Sequence, residues 1–528
     1  MIDTVPTISE VRYRSVLDMI REHARNAPEQ TCLVSIDQNN SLTWRQLYHL
    51  TNKLSAWLHE MHVVSNDRVL VLSNNSLENL FLYFGIQRHG ATFCAVNVDI
   101  NANHMAELVR RLEPKIVLYE DNLDIEKIAS FSAGTWVPFG TFEATGNTAS
   151  DNGLFELLSN FDEYTEPEEV STETDDAVIC FTSGTTDSPK GVIHSFGNYN
   201  FIGAQTAYLW GLSSEDRVLE YRSFSWSSSH QIVLQPLLVG GGCVVFAAKF
   251  STSQLFSWIR DYQITKAIGI PTVINMLLDR TIDEETGSLK TLEFMSCSTA
   301  PLMEEQHRRF EQLYGINLIQ HYGMSEGGTV AGNHHLDRRI GSVGKPGIGQ
   351  NLKILGEGGT ELPLGEEGEI EIGGPQNATS LLESDGSIVP VRGKRLKTGD
   401  LGRLDESGYL RITGRAKDLF IRGGVNIAPL EIDTVVSKHP LVGEACTVGI
   451  PDPIYGVALV CYVVARAGKT LLAADIDGHC KKFLPDFKHP KQIFITDKIA
   501  KNQRGKVDRN SMKRRWVEAE QKRKKDDQ

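Results

Sequence analysis

Short apolar runs alternate with longer amphipathic segments over the first 120 residues of the chain. The apolar runs have the composition of strands, and they cover residues 31–36, 68–73, 91–96 and 115–120. Residues 44–61 instead carry leucines three or four positions apart, which predicts a helix with one buried face. These leucines are Leu47, Leu50, Leu54 and Leu58. Alternating strands and helices predict a parallel sheet covered by helices.

The pattern changes twice further along the chain. A polar stretch over about 145–175 is expected to be a surface loop, and a second alternation of strands and helices follows it. From about 340 to 413, short strands joined by Gly-rich turns predict a small antiparallel barrel or sheet. A third unit of strands and helices follows Gly414. We therefore expect an α/β protein with large mixed sheets, a small barrel-like subdomain and a small α+β C-terminal domain.

The composition is that of a globular protein with an acidic surface. Of the 528 residues, 41% are hydrophobic and 23% are charged, which excludes wholesale disorder. Lys and Arg together number 54 against 67 Asp and Glu, so the net charge is −13. This balance argues against a nucleic-acid-binding protein, because such proteins present a basic face.

The sequence also predicts a cytoplasmic protein without a membrane span. The N-terminal residues lack the apolar core of a signal peptide. The long uncharged stretch 231–248 contains Pro236 and three consecutive glycines, which predict a helix, a turn and a buried strand. Since no two of the eight cysteines form a C-x-x-C pair, we expect buried thiols in a reducing compartment.

Residues 177–195 combine an apolar strand with a run of small and hydroxyl-bearing residues, AVICFTSGTTDSPKGVIHS. Small residues let backbone N–H groups approach an anion, hydroxyls donate further hydrogen bonds, and Lys190 adds a positive charge. The spacing differs from that of a Walker A loop. The segment therefore predicts a phosphate-binding loop, with an ordinary Ser/Thr/Gly-rich turn as the alternative. Its hydroxyl donors are Thr182, Ser183, Thr185 and Thr186.

This loop resembles the signature of the adenylate-forming superfamily, which includes acyl-CoA synthetases, firefly luciferase and the adenylation domains of peptide synthetases. Later segments resemble the remaining motifs of that superfamily in order. They are HYGMSEGG at 321–328, GSVGKPG at 341–347, the block from KTGD to PLEI at 397–432 and NQRGKVDR at 502–509. The resemblance covers about residues 30–520 and implies an adenylation domain over 1–413, a hinge at 414–418 and a mobile lid domain over 419–528.

The resemblance implies a ligase that works in two steps. A carboxylic acid attacks the α-phosphorus of ATP, releases pyrophosphate and becomes an acyl-adenylate; the thiol of coenzyme A then takes the acyl group. Anionic oxygens approach one another in the first transition state, so cations and fixed donors must neutralise them. ATP, Mg²⁺ and coenzyme A are the implied cofactors, and a small-molecule carboxylic acid is the implied substrate.

The implied roles in adenylation fall on three segments. The phosphate loop would hold the β- and γ-phosphates through Thr182, Ser183, Gly184, Thr185, Thr186 and Lys190. Glu326 would bind Mg²⁺ with Thr185 nearby, because a hard cation prefers oxygen ligands. Lys506 would bridge the carboxylate and the α-phosphate, which suits a long side chain with a point charge.

The adenosine site and the second half-reaction follow from the same resemblance. Tyr322 would stack on adenine, with the turn 298–301 on the other face of the base. Asp400 would accept hydrogen bonds from both ribose hydroxyls, and Arg415 would contact the ribose or phosphate. The remaining residues implied at the nucleotide are Ser298, Thr299, Ala300, Pro301, His321, Gly323, Met324 and Ser325. For thioester formation the lid would rotate about Lys417, and Gly424 would line the thiol channel.

The segment 222–238 is expected to border the acyl pocket. The residues predicted to line the pocket are Trp226, Ser229, His230, Cys297 and Met324. His230 would bind a second polar group on the acid, or it is a hydrogen-bonded histidine of the core. A polar wall bordered by tryptophan favours a short or functionalised acid over a long fatty chain.

Other interpretations stay open at this level. Asp187 stands where the superfamily usually has glycine, and Ser298 and Thr299 replace two further glycines, which indicates a divergent branch. One alternative is an adenylation enzyme that loads the pantetheine of a carrier protein, and another is a luciferase-like oxygenase. A third is a nucleotide-binding regulator that does not catalyse. The oligomeric state is also open, with a homodimer among the alternatives.

Overall fold

The computed structural model describes residues 10–125, 134–141, 153–182, 189–279, 289–422, 425–502 and 505–526. Within these ranges the chain forms two large sheets with covering helices, a smaller antiparallel sheet and a C-terminal unit of strands and helices. This arrangement confirms the predicted mixed α/β fold with a large N-terminal part and a smaller C-terminal part.

The first large sheet, sheet A, is parallel at its centre and antiparallel at both edges. Its strands are β1 (Thr31–Ser35), β2 (Asn40–Thr43), β9 (Arg217–Glu220), β10 (Cys243–Phe246), β11 (Lys266–Ala267), β12 (Phe294–Cys297), β13 (Asn317–Met324), β14 (Gly328–Gly332) and β15 (Lys345–Pro346). Their order across the sheet is β15-β14-β13-β12-β11-β9-β10-β1-β2. Because β12 and β13 are parallel neighbours, the segments that follow them leave the same edge of the sheet.

The second large sheet, sheet B, carries the strands on both sides of the predicted phosphate loop. Its strands are β3 (Arg68–Leu72), β4 (Thr92–Ala95), β5 (Ile116–Glu120), β6 (Thr135–Phe139), β7 (Asp176–Phe181), β8 (Gly191–Ser195), β18 (Ser380–Leu382) and β19 (Ile388–Pro390). Their order is β19-β18-β8-β7-β4-β3-β5-β6. Strands β7 and β8 are antiparallel, so the predicted phosphate loop connects two adjacent strands.

Helices cover the sheets and separate them. Those of the N-terminal part are α1 (Val16–Asn26), α2 (Trp44–Glu60), α3 (Leu77–His89), α4 (Ala102–Leu112), α5 (Leu154–Ser159), α6 (Phe196–Trp210), α7 (Ser227–Ser229), α8 (Gln235–Gly240), α9 (Leu255–Asp261), α10 (Pro271–Leu278) and α11 (Glu304–Tyr314). A π-helical segment, His230–Leu234, joins α7 to α8. Every residue of α3 is buried, because this helix contacts strands of both large sheets.

The strands predicted in the first 120 residues are present as β1, β3, β4 and β5, but they divide between the two sheets. The predicted surface loop over 145–175 is wrong where it contains α5, whose Leu154, Phe155 and Leu158 are buried. The acidic residues that follow this short apolar face dominate the composition of the stretch, so the helix is missed.

The uncharged stretch 231–248 folds as predicted into helix, turn and strand. Helix α8 ends at Gly241, which adopts a left-handed conformation with φ of 77°, and β10 follows. Among the helices that the structure describes, none is both long and apolar enough to span a membrane. All eight cysteines are buried and none of them forms a disulfide, which confirms the prediction of buried thiols.

A smaller antiparallel sheet, sheet C, connects the N-terminal part to the C-terminal unit. Its strands are β16 (Asn351–Leu355), β17 (Gly368–Gly373), β20 (Leu396–Leu404) and β21 (Leu410–Arg415). Short 3-10 helices lie at Glu357–Gly359, Ala416–Asp418 and Asp486–Lys488. The second of these follows β21 directly and contains Lys417.

The C-terminal unit is an α+β structure, as its pattern predicted. Its elements are β22 (Phe420–Arg422), β23 (Val425–Ile427), α12 (Pro429–Ser437), β24 (Val442–Asp452), β25 (Gly456–Ala465), α13 (Ala473–Phe483), β26 (Gln492–Ile495) and α14 (Arg509–Asp526). Strands β24, β25 and β26 form one sheet, and β22 pairs with β23.

Candidate active site

Loops from the two large sheets meet around the backbone of Ser325, one residue after the end of β13. Its carbonyl oxygen lies 2.7 Å from His194 Nε2, on β8, and accepts a hydrogen bond from Gln231 Nε2 at 3.1 Å. Its hydroxyl lies 2.8 Å from that of Ser227. These contacts fix the segment after β13 against the end of the phosphate-loop hairpin and against the predicted acyl wall.

Tyr322, Asp400 and Arg415 form one hydrogen-bonded cluster. The Tyr322 hydroxyl donates to Asp400 Oδ2 at 2.7 Å, and Arg415 Nε donates to Oδ1 at 2.7 Å. Asp400 and Arg415 are direct cross-strand partners on β20 and β21, and Asp400 is only 7% exposed. Burial and the neighbouring Asp400 carboxylate raise the pKa of Tyr322 well above its usual value. A buried carboxylate with two oriented donors is thus held beside the end of β13.

Glu326 lies between charges of both signs. Burial raises the pKa of its carboxyl group, while the positive charges of Lys190 and Arg415 oppose that shift and Asp400 adds to it. Its backbone carbonyl accepts a hydrogen bond from the Ala378 N–H at 2.7 Å. A desolvated carboxylate oxygen in this position suits a hard divalent cation, which would compensate the charge that burial disfavours.

The two described ends of the predicted phosphate loop are held together. Thr182 N–H donates to the Lys190 carbonyl at 2.9 Å, and Lys190 Nζ forms an ion pair with Glu383 Oε1 at 2.8 Å. The Lys190 ammonium is therefore already charge-paired. Ser183, Gly184, Thr185, Thr186 and Asp187 lie outside the described residues.

Arg111 supports the loop and was not predicted from the sequence. Its Nη2 donates to the Pro189 carbonyl at 2.7 Å and to the Glu383 carbonyl at 3.0 Å, and the residue is 3% exposed. The sequence could have indicated that Arg111 is buried, because it lies three positions after the buried Leu108 and so on the same face of α4. A buried arginine thus ties the end of the loop to the residue that pairs with Lys190.

The turn after β12 holds a strained backbone. Thr299 has a φ of 74°, a left-handed conformation that is unfavourable for a β-branched residue. The Ser298 hydroxyl is buried and has no hydrogen-bond partner among the described residues. Ala300 is half-buried and Pro301 is exposed. The glycine that the superfamily usually has at position 299 would avoid this strain.

Thr299→Gly should stabilise the protein by about 1 kcal/mol, because glycine removes the left-handed penalty but costs some unfolded-state entropy. Urea unfolding of the wild type and the variant measures the difference. Thr299→Ala is the control, since alanine also loses the hydroxyl but keeps the Cβ atom that causes the strain. Equal stabilities of the glycine and alanine variants would show that no strain is relieved.

His230 and Ser229 belong to the packed core beneath the predicted acyl wall. His230 is fully buried, with Nε2 2.6 Å from the Phe224 carbonyl and Nδ1 3.4 Å from the Tyr199 hydroxyl. Burial lowers the pKa of His230 to about 4, so the ring is neutral at pH 7. The Ser229 hydroxyl donates to the Ser223 carbonyl at 3.0 Å. This is the core arrangement that the sequence left as the alternative for His230.

The other residues of the predicted wall differ in exposure. Trp226 is half-buried, whereas Cys297 is buried and its pKa is raised by that burial. Met324 is half-buried and packs against the apolar face of sheet C. Arg222, which was also not predicted, is buried, pairs with Glu220 and donates to the Ser228 carbonyl at 3.2 Å. The serine run is therefore held by a buried ion pair.

His321 faces away from the Tyr322 cluster. Trp210 Nε1 on α6 donates to His321 Nε2 at 2.7 Å, and burial lowers the pKa of the histidine to about 3. The side chain is thus neutral and engaged with the helix. Gly323 is exposed and leaves only backbone atoms at that position of β13.

The C-terminal unit presents the Lys506 segment to the large part of the chain. Thr272 Oγ1, on α10, donates to the Gly505 carbonyl at 3.0 Å. Gln306 Nε2, on α11, donates to the Gly443 carbonyl at 3.1 Å. In this arrangement the residue preceding Lys506 touches the N-terminal part. Gly424 lies outside the described residues.

Models of two protein families match the chain. The AMP-binding enzyme family matches residues 20–382, and the AMP-binding enzyme C-terminal domain matches residues 431–506. The sulfoacetate–CoA ligase of Cupriavidus necator is 30% identical over 505 residues, which are 93% of this chain and 96% of that protein. The oxalate–CoA ligase of Arabidopsis thaliana is 28% identical over 95% of this chain and 98% of that protein.

Solved structures share the fold over nearly the whole chain. ATP-bound MatB from Rhodopseudomonas palustris has a TM-score of 0.83 and 24% sequence identity, covering 95% of this chain and 99% of that one. The o-succinylbenzoate CoA synthetase of Bacillus subtilis, in complex with its acyl-adenylate intermediate, has a TM-score of 0.76 at 24% identity over 94% and 97% of the two chains.

Proposed function

This chain belongs to the AMP-binding enzyme family of the adenylate-forming superfamily, and from that premise we propose a substrate class and the roles of individual site residues. The protein is an acid–thiol ligase that activates a carboxylic acid with ATP and transfers the acyl group to coenzyme A. Support for this activity comes from CoA ligases that match the chain over almost its full length. The observation that carries the residue assignments is the Tyr322–Asp400–Arg415 cluster beside Glu326.

In adenylation, each group of that cluster has a role that its surroundings support. Asp400 accepts hydrogen bonds from the ribose hydroxyls, because it is a buried acceptor on β20 that the Tyr322 hydroxyl joins to β13. Tyr322 offers its ring to adenine, and the turn at 298–301 is assigned to the opposite face of the base. Thr182, Lys190 and the loop between them hold the β- and γ-phosphates.

Glu326, with Thr185, would hold Mg²⁺, which would neutralise phosphate oxygens when bound. Glu326 is half-buried, and the partial loss of water that raises its pKa is a cost that a bound cation would offset. Lys506 supplies a positive charge between the carboxylate of the acid and the α-phosphate, so that the two anions approach each other. Lys506 belongs to the C-terminal unit, residues 419–528, which we propose as a mobile lid that brings the ammonium group to the site.

Thioester formation is proposed to use a second orientation of that lid. The 3-10 helix Ala416–Asp418 contains Lys417 and follows the Arg415 pair directly, so it is placed to act as the hinge at 414–418. Rotation would remove Lys506 and bring Gly424 to the path of the coenzyme A thiol.

The acid is proposed to be short and to carry a second polar group. The hydroxyls of Ser227 and Ser325 pair at 2.8 Å beside half-buried Trp226, so a polar edge lies at the assigned pocket. Sulfoacetate and oxalate, named for two of the relatives, are small acids with a second anionic group. Because His230 is enclosed in the core, the serine pair is the better candidate for recognising that group.

The test is a panel of carboxylic acids with ATP, Mg²⁺ and coenzyme A, read by mass detection of thioesters. Succinate and butyrate form a matched pair of equal chain length, and we expect a higher kcat/KM for the acid with the second charge. A preference for long fatty acids would contradict the substrate class. Thioester formation only on a carrier-protein pantetheine would favour the carrier-loading alternative, and nucleotide binding without pyrophosphate exchange would favour a regulator.

Tyr322→Ala should raise the KM for ATP by about fivefold or more, because base–aromatic stacking is worth on the order of 1–3 kcal/mol. The measurement is carboxylate-dependent pyrophosphate exchange at varied ATP. Tyr322→Phe is the control: it keeps the ring and loses only the hydrogen bond to Asp400. An unchanged KM in the alanine variant would remove Tyr322 from the adenine site.

We also propose a cytoplasmic location, because the eight buried thiols form no disulfides. The oligomeric state stays open, with a homodimer among the alternatives, and analytical ultracentrifugation of the purified protein measures it.

A further inference from the structure

Hydrogen bonds to Asn502 hold the segment around Lys506 within the C-terminal unit. Asn502 N–H donates to the Lys506 carbonyl at 2.8 Å, and Lys506 N–H donates to Asn502 Oδ1 at 3.0 Å. Gly505 N–H donates to the Asn502 carbonyl at 2.9 Å. These bonds close a tight turn, so the position of Gly505 determines that of the Lys506 backbone.

The turn is anchored to the core of the same unit through Arg509. Its Nη2 pairs with Asp433 Oδ2 at 2.6 Å, and its Nη1 donates to the Thr447 carbonyl at 2.7 Å. Burial raises the pKa of Asp433 even though Arg509 opposes the shift. A buried pair of this kind is geometrically demanding, so the turn moves with the C-terminal unit as one body.

On the other side, the turn touches the N-terminal part through Thr272. This residue is in the first turn of α10, which follows β11 of sheet A and is therefore part of the large scaffold. Thr272 Oγ1 donates to the Gly505 carbonyl at 3.0 Å. Gly505 has a φ of 74°, and a Cβ atom there would lie 2.6 Å from Thr272 Oγ1. The glycine thus permits a close approach that a larger residue would block.

We propose that Thr272 is a positioning residue for adenylation, which holds the Lys506 turn against the large part of the chain. The hydrogen bond joins a hydroxyl of the scaffold to a carbonyl of the moving unit, so it exists only while the two meet in this orientation. Thr272 acts through the backbone of Gly505 and does not touch the substrates. The inference rests on the proposed role of Lys506 and adds to it a contact that selects the adenylating orientation.

The expected consequence is an unequal effect on the two half-reactions. Thr272→Val removes the hydroxyl and keeps the shape, so it should slow carboxylate-dependent pyrophosphate exchange by about fivefold, the worth of one hydrogen bond. Thioester formation from a supplied acyl-adenylate and coenzyme A should stay within about twofold, because the turn has left α10 in that step. Thr272→Ser keeps the hydroxyl and should restore the exchange rate.

The outcomes separate this inference from the function on which it rests. Equal slowing of both half-reactions, no slowing of either, or failure of Thr272→Ser to restore exchange would each overturn the role of Thr272. Lys506→Ala is measured alongside. If exchange survives in Lys506→Ala, the role of Lys506 fails; if exchange is lost there but unaffected in Thr272→Val, only the contact of Thr272 fails.

Discussion

Lys506→Ala should slow acyl-adenylate formation by about 10²–10³-fold, the loss that follows removal of one charge-stabilising group from an active site. Thioester formation from a supplied acyl-adenylate should remain largely intact, because the proposed rotation takes Lys506 away before the thiol attacks. Pyrophosphate exchange and single-turnover thioester formation measure the two steps separately.

The matched control is Lys513→Ala, which removes an exposed lysine of α14 and changes the net charge equally. It should leave both steps within about twofold. Equal loss of both steps in Lys506→Ala would argue against two lid orientations and in favour of a single site in which Lys506 serves both reactions.

Glu326→Gln should lower adenylation by at least about 10²-fold and raise the Mg²⁺ concentration needed for half-maximal rate. Glutamine has nearly the same shape, so the backbone hydrogen bond from Ala378 to position 326 can persist while the negative charge is lost. Because burial already disfavours the ionised carboxyl group, the variant should be at least as stable to urea as the wild type.

Glu366→Gln provides the comparison, since it removes one exposed carboxylate from the same part of the chain. Its Mg²⁺ dependence should match that of the wild type. A Glu326→Gln variant with normal Mg²⁺ dependence would exclude Glu326 as the cation ligand, whatever the change in rate.

The sequence predicts the strands of the N-terminal part well because each is a compact apolar run between helices with regular periodicity. It does not show that β1 and β3 belong to different sheets, since pairing depends on crossovers between distant segments. The short helix α5 is missed for a related reason: three buried residues give too little periodicity to outweigh the acidic residues that follow.

At the candidate site, the motifs predict which residue types are present but not which way their side chains face. His230 and His321 lie in motifs assigned to the acyl pocket and the nucleotide, yet both rings are bonded within the core. Arg111 lies outside the motifs, and Arg222 begins the segment 222–238 without having been assigned a role; both are buried against backbone carbonyls of the predicted site. Contacts such as that of Arg111 with Pro189 join segments far apart in sequence, so the spacing of residues within one segment does not predict them.

The pair of Asp400 and Arg415 ends where the 3-10 helix Ala416–Asp418 begins. With the hinge assigned at 414–418, Asp400 belongs to the part of the chain that stays in place, and Arg415 lies at the start of the hinge itself. The adenosine half of the intermediate would then stay bound to Asp400 during the whole turnover. At the phosphate end, the residues of the C-terminal unit that act in the two steps would replace one another. An intermediate that stays docked during the swing is shielded from escape, which matters for an anhydride that water would otherwise consume.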